Sequence, residues 1–395
     1  MSEAAVERKV APPLWRNIRV LRGFGQAVFV VVVVLAFREL FLNLQFGLDR
    51  QGQELNFEFL RQRAGFSIKE GISYNPNQSF VRALQVGLSN TLRVAVVGIV
   101  LASIFGLIMG VARLSTNWLI RKIAQVYVEA VRNTPLAVQL VFWYVAVVLA
   151  LPSGVSGGLS IWNVAFISNR ASVIPWVRAE DTFGVWAIFL VIGIAAALAA
   201  RSWRTRVSER TAQPPRRFLW SLGTFLAIAA VGYVVAGNPV RLDVPKFVDR
   251  TYEGGAQLSP EYTALLLALV VYTGAFIAEI VRGSILAVPK GQKEAAEAMG
   301  LTPRQQLRLV VLPQALRIAI PPINSQYLNL TKNSSLGLLI GFPEIVSVGR
   351  TISNQAGGAT QVLLIWMATF LTLSLTISFF MNLLNRAVTR RGERR

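Results

Sequence analysis

At 395 residues, with 53% hydrophobic residues and a net charge of +20, the chain is too apolar for one soluble core and points to several membrane crossings. It holds no Cys and no His, which removes disulfides, thiol nucleophiles, Cys/His zinc sites and imidazole acid–base chemistry. No Lys follows a Gly, so the chain has no P-loop, and any nucleotide energy has to arrive from a partner.

A crossing needs roughly 20 mainly apolar residues to cover about 30 Å of hydrocarbon. In chain order the first candidate is 24–43, preceded by Arg16, Arg19 and Arg22. It resembles the basic and apolar parts of a signal peptide, but Arg38-Glu39-Leu40 follows where a small-x-small cleavage site would stand, so a retained anchor is expected. The segments 86–112 and 126–151 come next, then 184–200 and 218–236, joined by the basic turn 201–217 with its Pro pair. The last three are 262–281, 309–331 and 361–385, which makes eight crossings in all. Three irregular stretches, 44–85, 152–183 and 237–261, are expected in water on one side; the second carries the flexible "LPSGVSGGLS" and the third Asp243, Asp249, Glu253 and Glu261.

Eight crossings put both termini on the same side. That side carries 24 Lys and Arg against 6 acids, and the other 12 against 11, so net +18 faces net +1. This is the asymmetry of the positive-inside rule, and it predicts cytoplasmic termini. Nucleic-acid binding is the poor reading, because the basic residues lie in short loops without an aromatic-interleaved patch.

Seven charges fall inside the apolar segments: Arg38, Glu39, Arg93, Glu129, Arg132, Glu279 and Arg317. Each is costly against lipid and is expected to face the bundle, a cavity or the interface. Glu129 with Arg132, and Glu279 with Arg282, are i, i+3 neighbours that can neutralise one another. Their functional reading is a gate or brace, with Pro135 as a hinge; the alternative is static pairing with snorkelling ends. Arg93, Gln139, Asn324, Gln326, Asn329 and Lys332 are the polar candidates near the middle or outer half of the core spans. They suit either helix–helix hydrogen bonds or a path for a polar solute.

The segment "KGQKEAAEAMGLTPRQQLRLVVLPQ", residues 290–314, is a charged stretch between apolar runs. A helix is predicted from 292 to 299, stopped by Gly300, with Ala295, Ala298 and Met299 on one face. Thr302 as N-cap, Pro303 at the first helical position and Gln305 as the capping-box partner start a second helix, which Pro313 bends. Read alone, the first short helix is either a solvated loop helix or a docking surface for a soluble protein.

Glu294-Ala295-Ala296, then Gly300, then Val310 and Leu312-Pro313, resembles the cytoplasmic loop signature (the EAA motif) of bacterial ABC importer permeases. The stretches "YVEAVRNTPLAVQLVFWY", "AFIAEIVRGSI" and "LTKNSSLGLLIG" look like the polar amino acid uptake branch, and the overall length resembles its general L-amino acid permeases. The resemblance implies an all-α polytopic fold, a five-helix importer core plus extra spans. The core would occupy 80–151 and 262–385, with an anchor and outer loop in 1–79, inserted loops and two extra spans in 152–261, a coupling loop at 289–313 and a basic tail at 386–395. It implies a transport subunit of the bacterial inner membrane rather than an enzyme. Gly291, Glu294, Ala295, Ala296, Gly300, Leu312 and Pro313 would form the surface that docks on a separate ATPase. ATP and Mg would belong to that ATPase, with no cofactor, metal or catalytic residue in this chain. A second permease subunit, homologous or identical, and a periplasmic amino-acid-binding protein would complete the importer. A self-sufficient transporter or channel using Glu129 and Glu279 is the rival, and it would not need the coupling loop.

Overall fold

The computed structural model describes residues 18–50, 55–211 and 217–393. The expected cytoplasmic N-terminus before residue 18, the Pro pair at 214 and 215, and the last two residues of the basic tail lie outside them. Among the described residues six helices are long and apolar enough to cross a membrane, and two bent pairs raise the number to eight if each pair is one span. The chain is mostly helical, as expected.

Helix α1 is Ile18–Arg50. Helix α2, Phe80–Ala112, begins where the Ser79 hydroxyl accepts from the Arg82 amide. Helix α3, Trp118–Arg132, and α4, Leu136–Phe142, follow. Helices α5, Phe183–Thr211, and α6, Arg217–Ala236, form the inserted hairpin. Helix α7, Pro260–Leu286, starts on the Ser259 cap with Pro260 at its first position. Beyond it come α8, Lys290–Ala298, α9, Pro303–Gln306, α10, Leu312–Asn333, α11, Ile345–Ala356, and α12, Ala359–Glu393.

The stretch expected as one straight span over 126–151 is broken. The rod Trp118–Arg132 meets Leu136–Val148 at 107°. Pro135 has no amide to donate and pushes Thr134 away from helical backbone, so the ladder stops there. The Gln139 side-chain amide then donates to the freed carbonyls of Val131 at 2.8 Å and Thr134 at 2.9 Å. The stretch 309–331 is likewise one part of a longer broken rod, Pro303–Ile340, which turns 52° into α11.

Two of the outer stretches expected to be irregular contain short strands. A four-stranded antiparallel sheet has the order β1 (Leu159–Ile161), β2 (Ala165–Ile167), β3 (Ser172–Ile174), β8 (Ala256–Leu258). The ribbon β4 (Trp176–Ala179) with β5 (Val240–Asp243) extends α5 and α6, and β6 (Lys246–Val248) pairs with β7 (Thr251–Glu253). Strand β4 leads into α5 and β8 into α7, so both helices leave the strand-bearing side together.

The central packing is α2 against α7. The two run parallel, since Arg93 meets Tyr262, Gly106 meets Ile277 and Gly110 meets Val281. A Cβ on Gly106 would lie 2.6 Å from Ile277 Cβ and 2.9 Å from the Gly274 carbonyl, and one on Gly110 2.8 Å from the Ala278 carbonyl. Without a hydrophobic drive between helices in lipid, such small residues provide close van der Waals contact. Around this pair Val94, Leu140, Leu265, Leu269, Ile277 and Leu330 form the largest buried cluster. Asn90 and Thr91, both fully buried, pin other elements to α2: Asn90 Nδ2 donates to the Glu70 and Pro343 carbonyls, and Thr91 Oγ1 accepts from the Ile345 amide.

Gly106→Val is therefore expected to force α2 and α7 apart and to destabilise the chain by about 1–3 kcal/mol. Gly283→Ala, at a glycine whose added Cβ meets nothing within 4 Å, is the control that should leave stability unchanged. Thermal unfolding of the two variants in detergent checks the difference.

Candidate functional site

On the side opposite the strands, α7 ends and Pro289 starts α8. Its nine residues are almost wholly displayed: Gly291, Glu294, Ala295, Glu297 and Ala298 are exposed, and only Ala296 is buried. The face predicted from Ala295, Ala298 and Met299 points outward, Met299 at 78% exposure, so small and apolar groups are presented rather than packed. Gly300 ends the helix with φ +73°, a left-handed conformation that suits glycine, and the Leu301 amide closes back on the Ala296 carbonyl at 3.1 Å. The capping box is formed: Gln305 donates its amide to Thr302 Oγ1 and its side-chain oxygen accepts from the Thr302 amide at 2.8 Å.

Beyond it the chain winds into a π-helical turn, Leu307–Val311, against which α8 packs. Pro313 is the second residue of α10, a position where a missing amide is tolerated. Gln314 Nε2 donates to Gln292 Oε1 at 3.2 Å, fastening α8 to the start of α10. Leu312 is exposed beside them and Pro313 half-buried. The short helix is thus held at both ends while its outer face stays open.

The paired charges cluster at the same end of the bundle. Glu279 binds Arg282 through Nη2 at 2.6 Å and Nε at 3.2 Å, as its i, i+3 spacing predicts. Arg113, the residue after α2, also binds Glu279, so one carboxylate joins two guanidiniums and ties α2 to α7. Glu129 and Arg132 do not pair with each other. Glu129 accepts from Gln125 at 2.8 Å, while the Arg132 guanidinium lies 5.2 Å from the Phe276 ring centroid on α7. Both still lie within electrostatic reach of Arg113. Burial and Arg282 lower the Arg113 pKa, Glu129 opposes them by raising it, and Arg132 lowers it further.

The candidate path residues do not converge on one cavity. Arg93 is neutralised on the strand-bearing side, where Nη1 meets Glu70 Oε1 at 2.6 Å and its guanidinium lies 4.3 Å from the Tyr262 ring centroid. Glu70 also accepts from the Ser259 amide at 3.2 Å. Gln139 is the cap of the bend described above. On α10, Ser325, Asn329 and Lys332 form an exposed polar stripe at helical spacing, whereas Gln326 and Asn324 turn away, the Asn324 Oδ1 buried without a partner among the described residues. Sequence reasoning missed Glu70 and Arg113, the non-local partners of Arg93 and Glu279. It also missed Glu344, a fully buried carboxylate that caps α11 by accepting from the Val346 and Ser347 amides at 2.8 and 2.7 Å.

A multi-pass helical membrane protein that holds out a short polar helix at one end of its bundle defines a class of transport component. The chain belongs to the family of binding-protein-dependent transport system inner membrane components, whose match covers residues 102–392. The general L-amino acid transport system permease protein AapQ of Rhizobium johnstonii is 42% identical over 375 residues, 94% of this chain and 92% of that protein. The glutamate/glutamine/aspartate/asparagine transport system permease protein BztB of Rhodobacter capsulatus is 36% identical over 401 residues, 92% of this chain and 94% of its own. A solved amino acid ABC transporter with histidines shares 19% identity, with a TM-score of 0.46 over 78% of this chain and 95% of that one.

The three-charge knot generates an ordering of variants. Glu279→Gln leaves Arg113 and Arg282 facing one another and is expected to destabilise by about 2 kcal/mol, more than Arg113→Ala, which leaves the local Glu279–Arg282 pair intact. Denaturation midpoints in detergent give the order directly.

Proposed function

We propose that this chain is the transmembrane permease subunit of an ATP-driven importer of amino acids in a bacterial inner membrane. The observation that carries the reading is α8: a helix of nine residues, closed at Gly300 and tied to α10 through Gln292, with an open face of Glu294, Ala295, Glu297 and Ala298. It sits in the segment that resembles the coupling signature and within the family match. An exposed face with so little apolar area adds nothing to the fold and suits a soluble partner with complementary polar groups.

In this reading α8, with Gly291, Gly300, Leu312 and Pro313 shaping its surroundings, docks on a separate ATPase that binds ATP and Mg. The strand-bearing side is periplasmic and receives the amino acid from a binding protein, and both termini are cytoplasmic. That orientation is supported by the surplus of Lys and Arg on the α8 side. The names of the relatives support an amino acid as the solute. The exposed polar stripe Ser325, Asn329 and Lys332 is costly against lipid and is covered by a second permease subunit, homologous or identical, so that solute moves between the two.

Nucleotide-driven closure of the ATPases pushes α8, and the push enters the bundle through the π-helical turn and Gln314. The Arg113–Glu279–Arg282 knot with Arg132 on Phe276 acts as the brace at the cytoplasmic mouth, and the Pro135 bend is the place where α3 and α4 can change angle. This is a two-state element biased by a ligand on another subunit.

Glu294→Lys and Gly300→Val are each expected to abolish ATP-dependent uptake in proteoliposomes holding the complete importer, while membrane insertion of the chain is unchanged. Uptake of a panel of L-amino acids by those variants at the wild-type rate sinks the coupling reading. Accumulation by the purified subunit alone sinks the importer reading itself.

A further inference from the structure

Helices α5 and α6 pack closely on one another and only marginally on any other helix among the described residues. Gly232 lets Phe189 approach so closely that an added Cβ would lie 2.3 Å from Phe189 Cβ, and Trp186 Nε1 donates to the Ala229 carbonyl at 2.9 Å. The outward faces are apolar, with Val191, Leu198, Leu226 and Val234 exposed, so the hairpin stands in lipid beside the bundle. One end continues into the β4–β5 ribbon. The other, where α5 ends and α6 begins, therefore lies on the α8 side of the bilayer.

That second end is basic and aromatic. Residues 201–217 hold six Arg and one acid, Glu209. Trp203 and Trp220 meet edge to face with ring centroids 6.2 Å apart, both about half exposed. The Arg204 guanidinium lies 5.1 Å from the Trp220 centroid and 6.0 Å from that of Trp203, and its Nε is buried without an acceptor among the described residues. Arg201, three residues before Arg204 and so on the same face of α5, is exposed and forms no ion pair among the described residues. Tryptophan rings settle at headgroup depth, and a guanidinium held beside a ring still offers its edge to a phosphate in two parallel hydrogen bonds. Two neighbouring arginines beside a bilayer, without a carboxylate partner among the described residues, select a headgroup with net negative charge over a zwitterionic one.

We propose that the end of the hairpin where α5 and α6 meet is a binding site for an anionic phospholipid headgroup, with Arg201 and Arg204, neighbours on one face of α5, taking its phosphate and Trp203 and Trp220 seating the glycerol region. The inserted hairpin then binds this edge of the subunit to acidic lipid. The site does not depend on which solute the bundle carries.

The test uses the full chain in nanodiscs of mixed phosphatidylglycerol and phosphatidylcholine, with native mass spectrometry counting the lipids retained on release. Wild type is expected to enrich phosphatidylglycerol. The variant Arg201→Ala/Arg204→Ala is expected to lose about fivefold in that enrichment per arginine, the factor equal to about 1 kcal/mol per basic residue at an anionic surface. Trp203→Phe/Trp220→Phe, which keeps every charge, is expected to lose about threefold through the weaker ring–cation contact. Should the alanine variant fail to insert, Arg201→Lys/Arg204→Lys takes its place, with a similar threefold loss expected because ammonium groups neither stack nor bind bidentately. Equal retention of the two lipids by wild type, or the same enrichment in wild type and variants, overturns the proposal. So does displacement of the lipid by millimolar inorganic phosphate, the mark of a free-anion pocket. Loss of a co-purifying protein with unchanged lipid retention overturns it too, since the arginines would then serve a protein contact.

Discussion

The parallel contact of α2 with α7 is the constraint on which the other features hang. Its middle is closed by glycines at 106, 110 and 274, and each end is fastened by a carboxylate between helices: Glu70 on Arg93 and the Ser259 amide at one end, Glu279 on Arg113 and Arg282 at the other. Close approach brings these charges into range, and the charges in turn fix the register that sets Gly106 against Ile277. Ion pairs inside a membrane protein carry a desolvation cost, which good geometry and extra hydrogen bonds offset. Here each carboxylate has two donors, so neither is left with a single weak contact.

From this spine the rest takes its place. Helix α11 and the segment before α2 are pinned to α2 through Asn90 and Thr91, and α4 is fitted to α7 by its buried Leu136 and Leu140. Helix α8 is hung from the end of α7 but tied to α10, so it joins the rigid spine to the helix that bears the polar stripe. The α5–α6 hairpin stands outside this arrangement, and its stability rests on its own Trp186, Phe189 and Gly232 contacts.

Features governed by near neighbours in the chain were legible in the sequence. The Thr302–Gln305 capping box, the left-handed Gly300 and the Glu279–Arg282 pair all depend on residues three or four apart, and all are present. Features governed by distant partners were not. Glu279 finds Arg113 across 166 residues, and Arg93 finds Glu70 in an outer segment that reads as irregular. Glu129 and Arg132 have suitable spacing, yet the Arg132 guanidinium lies over Phe276 of the distant α7 and leaves Glu129 to Gln125, one helical turn away. Pro135 announced a break in the helix, but only the carbonyls it frees explain why the Gln139 side-chain amide turns back to the backbone. The short outer strands escaped notice because three or four residues are too few to establish an alternating pattern.

The π-helical turn at 307–311 has a geometric consequence. Such a turn stores one surplus residue relative to ordinary winding. If that residue is passed back across Gln306, every side chain downstream swings by about 100° around the axis while the rod advances by about 1.5 Å. Ser325, Asn329 and Lys332 lie downstream of that turn on one continuous rod and would sweep sideways together, so the surplus residue is a pivot for the whole polar stripe.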